Sequence, residues 1–291
     1  MLQKHLPILA AALICACACS IKEDRISCSA PVTVHVDHFS ISQEDLPPTK
    51  ATPISDYAGV KAITLAFFRS DGTESFNSTQ LLSDDSTYST FGDFSCTLPY
   101  GSYKMVVIGY GADSPITLTS ASEASYGADE TVRETFVATQ DVEISSSTPL
   151  SLSATLDRII AKLRIVSTDG RPAGVKFIRT TFAAGGKGFN PLTGLATSNT
   201  GFTNKVETRV DVGAVTKPVS YLFLASDEQS IDLTIETLDE NDNVLNTISV
   251  PAVPFQRNRV TVLTGSLYSA SASTAFQVNE AYIEEDISVS F

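Results

Sequence analysis

Val32-Thr33-Val34-His35-Val36-Asp37 alternates apolar and polar side chains with period two. A strand that buries one face and turns the other to water is the local structure that uses this pattern. The same reading extends outward. Residues 60–68 are more continuously apolar and close at Asp71-Gly72, a turn dipeptide, which predicts a second and more deeply buried strand. Residues 94–98 and 103–110 flank Pro99-Tyr100-Gly101 as a hairpin, residues 120–130 are small and polar and read as a surface loop with one helical turn, and residues 132–144 alternate again. Ser145-Ser146-Ser147-Thr148-Pro149 is the sharpest break in composition. Beyond it, strands are expected over 159–166, 175–182, 202–212, 219–225, 231–238, 244–250 and 259–267, with Asp239-Glu240-Asn241-Asp242-Asn243 as a hairpin turn.

Helical periodicity is scarce, so the expected class is all-β with antiparallel sheets, each burying one face. A chain of 291 residues is too long for one small sandwich. Two tandem β-sandwich domains are expected, 31–150 and 151–291. The second ends in a segment, 275–291, that follows the small-residue linker 269–274 and carries Ile287, Val289 and Phe291 on one face.

The first eighteen residues have the layout of a secretory signal: Lys4, an apolar run over 6–14, then small residues leading to cysteine. The run is too short for a stable membrane-spanning helix. Lipoprotein signal peptidase cuts before a cysteine whose thiol then receives lipid. Cys17 and Cys19 both satisfy its need for small preceding residues. The upstream spacing favours Cys17 slightly, whereas the downstream sequence favours Cys19. Lys22, Glu23 and Asp24 follow it at an offset that resembles the surface-export signal of Bacteroidia-type lipoproteins. Two or three acyl chains, at about 0.8 kcal/mol per buried methylene, would make such an anchor permanent. The expected location is the outer membrane, lipid-anchored and surface-exposed. The mature chain then keeps only Cys28 and Cys96, an even pair that an oxidising compartment permits to bridge; two free thiols are the alternative.

A net charge of -13, from 33 acidic and 20 basic residues, opposes binding to nucleic acid. No catalytic residues are expected. His35 and His38 are three apart on a strand and point to opposite faces, which argues against a shared metal. Gly185-Gly186-Lys187-Gly188 lacks the hydroxyl and upstream glycine of a phosphate loop and reads as a flexible loop. The Asp239 turn lacks the ligand order of a calcium loop. No cofactor is expected beyond the covalent lipid. The lack of tryptophan weakens a sugar-stacking role, although nine tyrosines keep it open.

Several stretches together resemble the fimbrillin family, the subunits of type V pili, and within it the lipid-anchored minor or anchor branch. Residues 19–28 are similar to the acylated cysteine, acidic spacer and second cysteine of anchor subunits, and 60–68 to the first core strand. Leu98-Pro99-Tyr100-Gly101-Ser102-Tyr103 is similar to a Pro-x-Gly-x-Tyr hairpin; the family often carries Trp near the end of the following strand, where this chain has Ile108-Gly109-Tyr110. Residues 156–163 and 253–262 resemble the start and a late strand of the second domain. The resemblance implies two transthyretin-like sandwiches and other fimbrial subunits as partners. Assembly would be by strand donation, one subunit's terminal strand filling a groove in the next. For an anchor it implies that residues 32–36 stay in place while Ile287, Val289, Phe291 and the segment before them contact the neighbour. The alternative is that the last strand closes its own domain. A rival role is a surface lipoprotein that binds glycan or host protein through loops such as 183–204.

Overall fold

The structure, a computed structural model, describes residues 28–40, 52–53, 59–269 and 277–282. The expected leader, Cys17, Cys19, Lys22, Glu23, Asp24 and the terminal Ile287, Val289 and Phe291 lie outside the described residues. Within them the chain is built from strands, with one short 3-10 turn at Asp85–Thr87.

The first half contains β1 (Ser29–Ser40), β2 (Thr52–Pro53), β3 (Ala62–Arg69), β4 (Glu74–Leu81), β5 (Asp93–Pro99), β6 (Gly101–Tyr110), β9 (Thr135–Ile144) and β10 (Leu150–Arg158). Hydrogen bonding runs β2-β1-β10-β9-β6-β3-β4, and β5 shares with β2 the far edge of β1. Strands β9 and β10 pair only at Val137/Asp157 and Phe136/Arg158. The sheet therefore folds over at that corner, setting β10-β1-β5 across from β9-β6-β3-β4. Val32, Val34, Val36, Phe94, Leu98 and Leu156 from one layer meet Ile63, Leu65, Phe67, Met105, Val107 and Val142 from the other, all buried.

Strand β3 is buried on both faces. Its second face, Ala62, Ala66 and Phe68, packs with Val106, Ile108 and Tyr110 of β6 against Tyr126, Phe189 and Phe223. That double burial is why its sequence is a near-continuous apolar run and not an alternation.

The second half is a sandwich of two four-stranded sheets. One runs β16 (Val219–Leu222), β11 (Ala161–Ser167), β19 (Arg259–Gly265), β20 (Gln277–Tyr282); the other runs β15 (Phe202–Glu207), β12 (Phe177–Phe182), β17 (Glu228–Leu238), β18 (Val244–Gln256). Leu163, Ile165 and Leu263 from the first meet Ile178, Phe182, Ile235 and Phe255 from the second. A further small sheet takes two strands from each half, in the order β14 (Leu195–Ala196), β13 (Gly188–Asn190), β8 (Glu123–Ser125), β7 (Thr117–Ser120). The halves are thus joined by a shared sheet as well as by a shared core.

The all-β, two-sandwich class is as expected, but the arrangement of strands differs in several respects. Each sandwich contains one parallel pair, β1 with β10 and β11 with β19. Only strands joined by tight turns are forced to be antiparallel, and long connections separate both pairs. Strand β10 pairs within the first sheet, so the sheets change after Arg158 and not at residue 150. The Ser145-to-Pro149 run is a turn between strands at the end of a sandwich. Residues 120–130 hold β8 where a helical turn was expected. Finally, β20 pairs with β19 from Thr264/Gln277 to Arg259/Tyr282, so 277–282 closes its own domain and is not a free donor segment.

Candidate functional site

Strand β1 is the element on which the assembly reading turns. It lies between two neighbours, with 8 register pairs to β10 on one side and 7 to β5 on the other. Ala30, Val32, Val34 and Val36 are each no more than 2% exposed, and burying a valine side chain contributes roughly 1.5–3 kcal/mol. Pro31 has no N–H to give; it sits opposite Thr97 of β5, just before pairing with β10 begins at Val32. The β1–β10 register shifts between Val36 and His38. A bulge of this kind increases local twist where the strand leaves the core.

The chain reaches β1 at one pole of the first sandwich. The carbonyl of Cys28, which is exposed, accepts from the Tyr100 N–H at 2.9 Å. The Tyr103 hydroxyl donates to the Pro99 carbonyl at 2.6 Å, bracing the turn by which the chain crosses from β5 to β6. The expected hairpin is not formed here: β5 pairs with β1 and β6 with β3 and β9, so Pro99-Tyr100-Gly101 carries the chain from one layer of the sandwich to the other. Gly101 pairs with Ile144 and Leu150 with Val32, so the turn over 145–149 lies at this pole too. The opposite pole carries Tyr110, Thr135 and Arg158, where the second half begins. Asn258 N–H donates there to the Ile160 carbonyl at 2.8 Å. Anything attached upstream of Cys28 is therefore attached at the end remote from the second sandwich.

On its outer face β1 presents His35, whose Nδ1 hydrogen-bonds the carboxylate of Asp93, its ladder partner, with Asp37 3.4 Å from Nε2. The hydrogen bond with Asp93 raises the imidazole above its usual value of 6.5. More than half of this side chain is exposed, and such surface pairs contribute little. Gln80 closes the open side of the sandwich between β4 and β5. Its amide donates to the Asp93 carbonyl at 2.6 Å and accepts from Gly92 N–H at 2.7 Å, and it is only 5% exposed. Among the described residues no group of three His, Cys, Asp or Glu is placed to hold a metal.

The two cysteines are not brought together. Cys96 faces Val32 across the β1–β5 ladder, four positions from Cys28, a Cα separation of roughly 13 Å at about 3.3 Å per residue. A disulfide needs less than about 7 Å, and both thiols are free. Mass spectrometry without reductant is expected to find both alkylated: Cys28 rapidly, and Cys96 slowly because burial pushes its thiol up to about 11. A Cys28–Cys96 cross-linked peptide would contradict the register.

Other motifs are absorbed by packing. Gly185 (φ 78°) and Gly186 are held against Phe223, with the Gly186 N–H donating to the Phe223 carbonyl at 3.1 Å and the Gly186 carbonyl accepting from the Phe223 N–H at 3.2 Å. A Cβ on Gly186 would sit 2.5 Å from the Ser198 carbonyl oxygen. Lys187 Nζ donates to the Ala128 carbonyl at 2.6 Å. The glycine-rich stretch is a packed crossing, not a flexible loop, and residues 183–204 supply β13 and β14 to the shared sheet in place of a free recognition loop. The Asp239 carboxylate accepts from the N–H groups of Asn241 and Asn243, both at 2.8 Å, which makes the expected hairpin turn.

Asp169 was not singled out by any sequence pattern. Its carboxylate accepts from Ser266 Oγ (2.6 Å), Leu267 N–H (2.7 Å), Tyr268 N–H, Ser269 N–H and Ser269 Oγ (each 2.9 Å). Burial alone would raise this carboxyl, but those donors hold it well below the usual carboxylate range. Its contribution is present above the ordinary value of 3.8 and is lost as pH falls through the lower folded value. Asp169→Ala is expected to cost about 2–3 kcal/mol at neutral pH. In urea titrations from pH 6 downward the deficit should narrow only in acid; a pH-independent deficit would contradict the assignment.

These features define a class: a two-sandwich β protein whose N-terminal strand is sealed into the first sandwich and whose halves share a sheet. The chain belongs to the family of unknown function DUF6562, whose model matches residues 114–290. No curated protein matches the sequence. The fold is similar to that of the fimbrial anchor protein Mfa2 from Porphyromonas gingivalis, at 13% identity over 87% of this chain and 97% of that one, TM-score 0.50. It is also similar to that of a candidate adhesin from Bacteroides ovatus, at 12% identity over 91% of this chain and 99% of that one, TM-score 0.51.

Proposed function

We propose that this chain is a cell-surface fimbrial or adhesin-type subunit, held in the outer membrane by lipid on Cys19 and used as an anchor or accessory, not as an enzyme. The observation that carries the reading is the completed first sandwich. β1 fills its own groove, and the chain comes into it at the pole remote from the second half, the arrangement a tethered base needs. The fold shared with a fimbrial anchor protein over most of both chains supports it, as does the leader with Cys19, Lys22, Glu23 and Asp24. On this reading the partners are other fimbrial subunits, met through sheet edges and the segment with Ile287, Val289 and Phe291. Membrane fractionation and protease shaving of intact cells test it. The parent protein is expected in the outer membrane and accessible to protease. Cys19→Ser is expected to release it into the soluble fraction, and a Cys17→Ser partner decides which thiol is used. Retention of the double variant in the membrane would refute the anchor.

A further inference from the structure

The direction of β1 relative to β10 decides how the first sandwich answers a pulling force. The two strands are parallel, with Val32 beside Leu150 at the tether pole and Ser40 beside Asp157 at the other. The chain leaves β1 upstream at the first pole and leaves β10 downstream, toward the second half, at the second pole. A pull between these two exits acts along both strands in opposite directions. The interstrand hydrogen bonds lie across that direction, so the ladder is sheared and its bonds bear load together. A pull applied to both strands at one pole would open the bonds one after another, each carrying the whole load. Strand β5 reinforces the arrangement, since its antiparallel ladder covers Ser29 to His35 and must be sheared too. The apolar row Ala30, Val32, Val34, Val36 would also have to slide out of the core together.

We propose that the β1–β10 ladder is a mechanical clamp, built to resist tension between the N-terminal tether and the second half. This rests on the tethered reading for its purpose, but not for its test. The occasion for such a clamp is a surface subunit held at one end and loaded at the other. Rupture under force is set by the barrier to unfolding and not by equilibrium stability, so two pulling geometries on one equally stable fold can give different forces.

Cys28 is exposed and immediately precedes β1, which makes it a natural handle. In the full chain with Cys15, Cys17, Cys19 and Cys96 replaced by alanine, a second handle is placed either by Asp157→Cys or by Ser147→Cys, both at exposed positions. The first pair loads the ladder in shear and the second peels it from one pole, and neither path runs through the second sandwich. Single-molecule force spectroscopy is expected to show a several-fold higher rupture force when Cys28 is paired with the Asp157→Cys handle than with the Ser147→Cys handle, at equal loading rate. Urea midpoints of the two proteins should be equal, so that the difference reports geometry. Equal forces, or a weaker axial response, would overturn the clamp. Because these chains carry no lipid, that failure is distinct from failure of the anchor, which the Cys19→Ser fractionation reads separately. If the Cys96 replacement prevents folding, Cys96→Ser with the same handle pairs gives the same comparison.

Discussion

Phe223→Ala is expected to cost about 3–5 kcal/mol, the range for emptying a buried aromatic site, and to lower the melting temperature of both halves together. Phe223 is fully buried, stacks on Phe189 with ring centroids 4.4 Å apart, and lies 6.3 Å from the Tyr126 ring. Phe189 belongs to β13, which pairs with Ala124 of β8, and Tyr126 packs in turn against Tyr110 of the first sheet at 6.4 Å. A cavity at Phe223 therefore opens between the sandwiches and not inside one. Calorimetry should show a single transition in the parent and an earlier one in the variant. Leu192→Ala, at a position 45% exposed, should stay within about 0.5 kcal/mol. A variant in which only residues of the second half melt early would mean that the shared core does not couple the halves.

Arg158→Met is the second large effect. The Arg158 guanidinium is fully buried and meets Glu134, itself only 12% exposed, at 2.7 Å. It also donates to Asn258 Oδ1 at 3.3 Å and lies 5.0 Å from the centre of the Phe136 ring. Removing one partner leaves the other charge buried without compensation, an expected loss of about 3–5 kcal/mol. Arg158→Met combined with Glu134→Leu should recover much of it, because two apolar side chains need no solvation. Denaturant unfolding of the two single variants and the double variant measures this directly. Additive losses would show that the two side chains act independently.

The polar junction of Arg158, Glu134 and Asn258 is not legible in the sequence. Residues 156–163 and 253–262 each resemble stretches of a known family, but nothing in either says that Arg158 and Asn258 meet. The cysteine pair failed as a bridge for the same reason: an even count describes chemistry, whereas register decides distance. Strand β4 was missed because Glu74-Ser75-Phe76-Asn77-Ser78-Thr79-Gln80-Leu81 is mostly polar. It is an edge strand held by pairing with β3 and by the Gln80 clasp, so burial imposes little pattern on it. Strands β13 and β14 are only three and two residues long, too short for any periodicity to register.

Local patterns in the sequence alone determined that the described chain is made of strands, which side of β1 faces inward, that β3 is more deeply buried than β1, and where the Pro99 and Asp239 turns fall. Each of these depends on the order of neighbouring side chains, and period-two alternation or a turn residue acts over a few positions. Tertiary structure alone decided the neighbours. It set β1 parallel to β10, moved β10 into the first sandwich, returned β20 to β19, and drew β7, β8, β13 and β14 into one sheet. Those outcomes depend on pairings between residues up to a hundred or more positions apart, which are selected by total burial and hydrogen-bond satisfaction across the whole chain and leave no mark in any short window.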